Sequence, residues 1–251
     1  KNALSKKISI VNGLHDLLGQ RFKKLIINKD QWIWDVRVPK FEPQIATGKA
    51  ANLNNTRLLM VGTDMACGKM TTALEIYSMA RKKNINCGFL ATGQIGITIT
   101  GDGIPLDAFK VDHACGAVEQ KILENSDKDL IIIEGQGSLL HPGSTATLPL
   151  MRGSCPTHII LCHRAEKENL RYPENIKIPD LEKFIELNEN IASVFGTFSD
   201  AKCIGISLNT SKLNDNEAKQ IIKKVEKKTT LPVTDPIRNG VKKLWKNLII
   251  N

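Results

Sequence analysis

The residues best suited to chemistry follow an apolar stretch: Gly62-Thr63-Asp64-Met65-Ala66-Cys67-Gly68-Lys69-Met70-Thr71-Thr72. A glycine-bounded loop between a strand and a helix turns successive backbone N–H groups toward one point. The helix N-terminus adds partial positive charge and Lys69 adds a full one, so the run reads as a phosphate cradle. Its candidate cofactor-binding residues are Gly62, Thr63, Asp64, Ala66, Cys67, Gly68, Lys69, Met70, Thr71 and Thr72. Two features depart from the commonest phosphate loop. Five residues, rather than four, separate the glycines. Met70 stands where Ser or Thr ordinarily holds Mg²⁺. Thr71 or Thr72 could substitute, but one step along a helix turns a side chain by about 100°.

A second signal is Ile131-Ile132-Ile133-Glu134-Gly135-Gln136-Gly137-Ser138. An acid ending an apolar strand can hold Mg²⁺, accept a proton or orient an amine; it can also merely cap a turn. Thr92-Gly93-Gln94-Ile95-Gly96 reads as a glycine-punctuated loop after another strand. Asn209 ends a third, where its amide can read a purine edge or cap the next turn. Candidate general bases are Glu134, His141, Asp64 and His163, and each histidine also has a structural reading. His113, beside Asp112 on a predicted helix, reads as structural. The six cysteines show no metal-ligand spacing, read as small core residues, and point to a reducing, cytoplasmic setting.

These residues need elements to position them. Strands are expected at 57–61, 85–91, 129–133, 158–162 and 203–208, and helices at 69–83, 107–125, 181–195 and 216–228. The expected buried face of the first helix is Met70, Ala73, Leu74, Tyr77 and Ala80. That of the second is Ala108, Val111, Ala114, Cys115 and Val118. Such alternation predicts an α/β fold, a parallel sheet with helices on both faces. Ligands then sit at the carboxyl ends of the strands. Residues 1–50 read as the end of something larger, with strands at 8–11 and 32–38, a helix at 14–25, and a linker over 41–55. The remaining domain spans 51–251.

Composition narrows the function classes. The chain has 251 residues, 41% hydrophobic and 24% charged, ordinary for a globular protein. No apolar run approaches the roughly 18 residues of a membrane span. The formal charge is +9, but only 5% of residues are aromatic and the lysines are scattered, so a nucleic-acid surface is not expected. Lys219, Lys223, Lys224, Lys227 and Lys228 read as the solvated side of a helix whose apolar face carries Ile221, Ile222 and Val225.

The cradle, the TG at 92–93, the EGQGS at 134–138 and the SLN at 207–209 are laid out as in dethiobiotin synthetase, a P-loop ligase. A closer resemblance covers nearly the whole chain. VGTDMACGKMTTALEI, FLATGQIGI, GDGIPLDAF, EGQGSLLHPGS, LCHRA and LPVTDPIRNG look like the D-glutamate N-acetyltransferase family, formerly a domain of unknown function. That resemblance implies a P-loop NTPase-like domain after the last part of a Rossmann-like N-terminal domain. It implies transfer of acetyl from acetyl-CoA, as co-substrate, to D-glutamate or another D-amino acid. Thr92, Gly93, Gln94, Gly135, Gln136, Gly137 and Ser138 would then line the acceptor site. Arg152 and Arg164 are the candidates for its carboxylates, because guanidinium binds carboxylate bidentately, and each also has a surface reading. No resident metal, membrane or nucleic-acid partner is expected, and a homo-oligomer is. The alternatives are an ATP- and Mg²⁺-dependent ligase or kinase, and a non-catalytic nucleotide-binding protein.

Overall fold

The structure, a computed structural model, describes residues 1–144 and 146–248. Near the N-terminus, β1 (Ile10–Asn12) and β2 (Ile33–Asp35) form a two-stranded parallel sheet, with the short helices α1 (Asn2–Ser5) and α2 (Leu18–Phe22) beside them. The main sheet holds β3 (Thr56–Gly62), β4 (Cys87–Leu90), β5 (Leu130–Ile133), β6 (His158–Arg164), β7 (Lys202–Asn209) and β8 (Val233–Thr234). Its order is β4-β5-β3-β6-β7-β8, and every pairing is parallel. Among the described residues, eight further helices connect or flank these strands: α3 (Lys69–Lys82), α4 (Gln94–Thr100), α5 (Val111–Glu124), α6 (Thr147–Ser154), α7 (Leu181–Ser193), α8 (Asp215–Thr229), α9 (Pro236–Asn239) and α10 (Lys242–Trp245).

Side chains alternate across a strand, so a sheet covered on both faces needs apolar residues at every position. β3 and β5 are buried throughout. Leu59, Val61, Ile131 and Ile133 enter one core, with α5 and α6. Leu58, Met60, Leu130 and Ile132 enter the other, with α3 and α10. The α/β architecture expected from the sequence is therefore present. No helix among the described residues is long and apolar enough to cross a membrane.

Several expectations are corrected. The glycine run after β4 is not a loop: α4 begins at Gln94 and runs through Gly96, despite the low helix propensity of Gly and β-branched residues. Tertiary packing decides it, since Ile97 is buried and a Cβ at Gly96 would collide with Glu134. α6 has no counterpart in the sequence reading because Pro149 lies within it; Pro149 falls in the first turn, where no intrahelical N–H is needed. The helix expected at 14–25 shrinks to α2 and a following 3₁₀ turn. Asp35 starts it late by accepting from the N–H groups of Leu18 (2.9 Å) and Gly19 (2.7 Å).

Ala108 and Val111 are exposed rather than inward, because residues 106–108 form a separate 3₁₀ turn. On α3 the fully buried apolar residues are Ala73, Ile76 and Ala80, and Met70, Leu74 and Tyr77 are half-buried. The segment 41–55 is a packed strap, not a free linker. Thr47 donates its N–H to Glu119 Oε2 (2.7 Å), and Gly116 lets the strap lie directly on α5.

Candidate functional site

The cradle forms where β3 meets α3. Met65 N–H donates to Asp64 Oδ1 (2.6 Å), and Thr72 N–H is the first to enter the helical ladder, on Gly68 O (2.9 Å). Between them, the N–H groups of residues 66–71 donate to no other described residue. Six donors are thus left unpaired around the positive end of a 14-residue helix. Gly68 sits at φ +114°, a region that glycine alone enters without strain. Buried Lys69 arches back over the loop, its Nζ donating to Asp64 O (2.8 Å) with Cys67 Sγ 3.7 Å away. Gly62 must stay bare, since a Cβ would stand 2.9 Å from that Nζ and 2.6 Å from Cys67 Sγ.

Some predicted site residues instead brace this loop. Asp64 Oδ2 accepts from Arg171 N–H (2.8 Å) and lies 3.8 Å from Arg164 Nη1. Arg164 Nη2 donates to Ala66 O (2.6 Å). The pair is thus committed to loop geometry and offers neither a free base nor a free carboxylate clamp. Thr63 Oγ1 bonds His163 Nδ1 (2.9 Å), and burial pushes that imidazole down to about 4. His163 opens onto a separate cavity of about 600 Å³ that shares no wall with the cradle. Thr72 Oγ1 donates to Gly68 O (2.9 Å) and bonds Ser207 Oγ (2.7 Å), so its hydroxyl is occupied.

Glu134 follows β5 directly, beside the cradle. Its Oε2 accepts from the N–H groups of Thr92 (2.9 Å) and Gly93 (3.2 Å), while Thr92 Oγ1 donates to the Glu134 carbonyl (2.8 Å). Oε1 bonds no described residue. Glu134 lines a cleft of about 400 Å³ together with Lys69, Met70, Thr71, Gln94 and Gln136. Burial raises its pKa above the ordinary range, against the pull of the two N–H groups and the Lys69 charge. Backbone N–H groups of residues 135–138 donate to no other described residue. Gly135 is bare because a Cβ would collide with Met60 O and crowd Lys69 Cδ at 2.9 Å. Gly137 takes φ +64°, and buried Ser138 contributes backbone only, its Oγ accepting from Leu140 N–H (3.2 Å).

His141 and Arg152 are not brought to this cleft. His141 Nδ1 accepts from Gly143 N–H (3.0 Å), which leaves the proton on Nε2 to donate to Tyr172 O (2.6 Å). Both ring nitrogens are thereby occupied. Arg152 Nη1 donates to Ile191 O (2.7 Å) with its guanidinium over Phe198, tying α6 to the end of α7.

On the other side of α3 lies a cleft of about 300 Å³, walled by Gly68, Thr71, Asn209, Pro236, Ile237 and Arg238. Asn209 Oδ1 accepts from Ser211 N–H (3.1 Å), the capping alternative, while its amide nitrogen bonds no described residue. Asp235 shapes the opposite wall, accepting from Thr210 and capping α9 through the N–H groups of Ile237 (2.9 Å) and Arg238 (3.1 Å). Ile237 is 72% exposed on the rim. An apolar rim beside an amide donor can take a purine face and edge. Sequence reasoning assigned no site role to residues 235–238, since the two-residue β8 is too short to show a period; the Asp-Pro start of α9 was the available signal.

Compared with known proteins, residues 44–245 match the model of a domain of unknown function, the DUF1611 C-terminal P-loop domain. The chain belongs to the DUF1611 family. A crystal structure of a DUF1611 protein from Anabaena variabilis superposes with a TM-score of 0.94 at 44% identity, over 98% of this chain and 72% of that one. Two curated relatives are named D-glutamate N-acetyltransferase. The one from Tritonibacter scottomollicae is 37% identical over 96% of this chain and 72% of its own length. The one from a Pseudoalteromonas species is 36% identical, over 98% and 74%.

Proposed function

We propose that this DUF1611 protein is an N-acetyltransferase that carries acetyl from acetyl-CoA to the amino group of D-glutamate. One observation carries the reading. A buried carboxylate with a free oxygen, Glu134, faces a phosphate cradle whose usual metal-holding position is Met70. Acetyl-CoA offers a pyrophosphate to the N–H groups of residues 66–71 and to Lys69. Its adenine reaches the cleft between Asn209 and Ile237, and its thioester enters the Glu134 cleft. The names of the curated relatives support the same chemistry.

The acceptor arrives as an ammonium, and Glu134 Oε1 takes one proton. The amine lone pair forms a C–N bond to the thioester carbonyl carbon, and the π pair moves to oxygen. The unpaired N–H groups of residues 135–138 stand as donors for that oxyanion. Collapse restores C=O, breaks the C–S bond and expels the thiolate, which regains a proton from Glu134. The second amine proton leaves to solvent.

The test mixes the protein with acetyl-CoA and D-glutamate, reading free thiol by colour and product by mass spectrometry, with EDTA in a parallel arm. Thiol release that depends on D-glutamate and survives EDTA is expected. No transfer, with thermal stabilisation by ATP–Mg²⁺ that EDTA abolishes, would replace this reading with an ATP-dependent ligase.

A further inference from the structure

Next to the Glu134 cleft lies a smaller cavity of about 260 Å³. The two adjoin, since Gly93, Gln94 and Gln136 wall both. The side cavity is also lined by Arg37 and Asp107. Arg37 lies just beyond β2, outside the matched P-loop domain of residues 44–245. Its Nε donates to Gly13 O (2.8 Å) and its Nη1 pairs with Asp107, so two anchors fix the guanidinium plane. Nη2 bonds no other described residue. The side chain is only 14% exposed, a cation largely withdrawn from water at the wall of a cavity. The side-chain amides of Gln94 and Gln136 also bond no described residue.

We propose that Arg37 binds the distal carboxylate of the acceptor and thereby selects acidic amino acids. The proposal rests on the acetyltransferase reading and deepens it. To lose its proton, the acceptor nitrogen must sit at Glu134 Oε1. The α-carboxylate shares a carbon with that nitrogen, so it stays in the Glu134 cleft, near Gln94 and Gln136. A second carboxylate at the end of the side chain lies several bonds further out and reaches the side cavity. There Nη2 of Arg37, the amino group that Asp107 leaves unpaired, offers its N–H donors to that carboxylate. An acceptor ending in an amide or alkyl group has no charge to place there. The segment preceding the P-loop domain is then part of the acceptor site.

The experiment measures kcat/KM for D-glutamate and D-glutamine in the wild type, Arg37→Gln and Arg37→Lys, with melting temperatures alongside. Arg37→Gln is expected to lower the D-glutamate value by about 10- to 100-fold, mainly through KM. D-Glutamine and the KM for acetyl-CoA should stay within about threefold. Arg37→Lys, which keeps a cation beside Asp107, should fall between the wild type and Arg37→Gln, and it carries the test if the Gln variant melts early. Equal losses for both acceptors, no loss for D-glutamate, or a Lys variant no better than Gln would overturn the proposal. If the wild type acetylates neither acceptor, the acetyltransferase reading fails on its own. Calorimetric titration of D-glutamate then decides, because it needs no turnover: binding lost in Arg37→Gln supports the carboxylate site, and equal or absent binding in the wild type and the variant overturns it.

Discussion

Glu134 and Asp64 are both buried acids, and their partners separate their roles. Asp64 is tied at both oxygens, whereas Glu134 keeps one free toward a cleft. Glu134→Gln is expected to lower kcat by about 10²- to 10⁴-fold, the usual worth of a positioned base. Wild-type kcat/KM should rise with pH through an apparent pKa above the ordinary glutamate range, and the variant should lose that limb. Because burial raises this pKa, the protonated carboxyl suits the folded state better. Its stabilising contribution is present at low pH and is lost as pH rises through the folded pKa. The variant should therefore hold or raise the melting temperature at pH 8; a fall of several degrees would make the carboxylate a structural anchor. His163 has the opposite sign. Its folded pKa is depressed to about 4 from 6.5, so stability is full above the unfolded value and is lost as pH falls between them. Urea midpoints from pH 7 to pH 4.5 should drop more steeply in the wild type than in His163→Asn.

At the scale of elements, α4 locates the acid. Gly93 and Thr92 hold Glu134 Oε2, and Gly96, one turn on, leaves room for the carboxylate. Gly96→Ala would push that carboxylate aside, so kcat should fall at least about tenfold while acetyl-CoA still binds with its wild-type affinity in calorimetry. Loss of both would mean that α4 and the cradle fold as one unit. This helix also marks where sequence reading stops. β3 and β5 were legible because both faces are covered and the runs Leu58–Val61 and Leu130–Ile133 are apolar at every position. The cradle was legible because its residues are consecutive. α4, by contrast, is set by tertiary packing: Ile97 enters the core and Gly96 lies against an acid 38 positions further along the chain. The chemistry of guanidinium points to Arg152 and Arg164, yet the arginine that lines the cavity adjoining the cleft is Arg37. Its proximity depends on Gly13 and Asp107, which no local pattern connects.

Across the whole molecule, β3 lies between β5 and β6, and the chain departs from it in both directions. Loops diverge at such a point, and here the two clefts flank the start of α3 and share Gly68 and Thr71. A ligand with a purine at one end and a reacting group at the other fits that layout, and acetyl-CoA is such a ligand and a polyanion. The protein carries a formal charge of +9, so its field should draw the coenzyme in before any contact forms. Salt shortens the reach of that field, from about 10 Å at 0.1 M to about 3 Å at 1 M. Inside the cradle, buried Lys69 and the backbone donors are screened far less. The KM for acetyl-CoA should therefore rise several-fold between those salt concentrations while kcat holds steady. A flat KM would mean that the cradle alone holds the coenzyme, and a falling kcat would mean that salt reaches Glu134 itself.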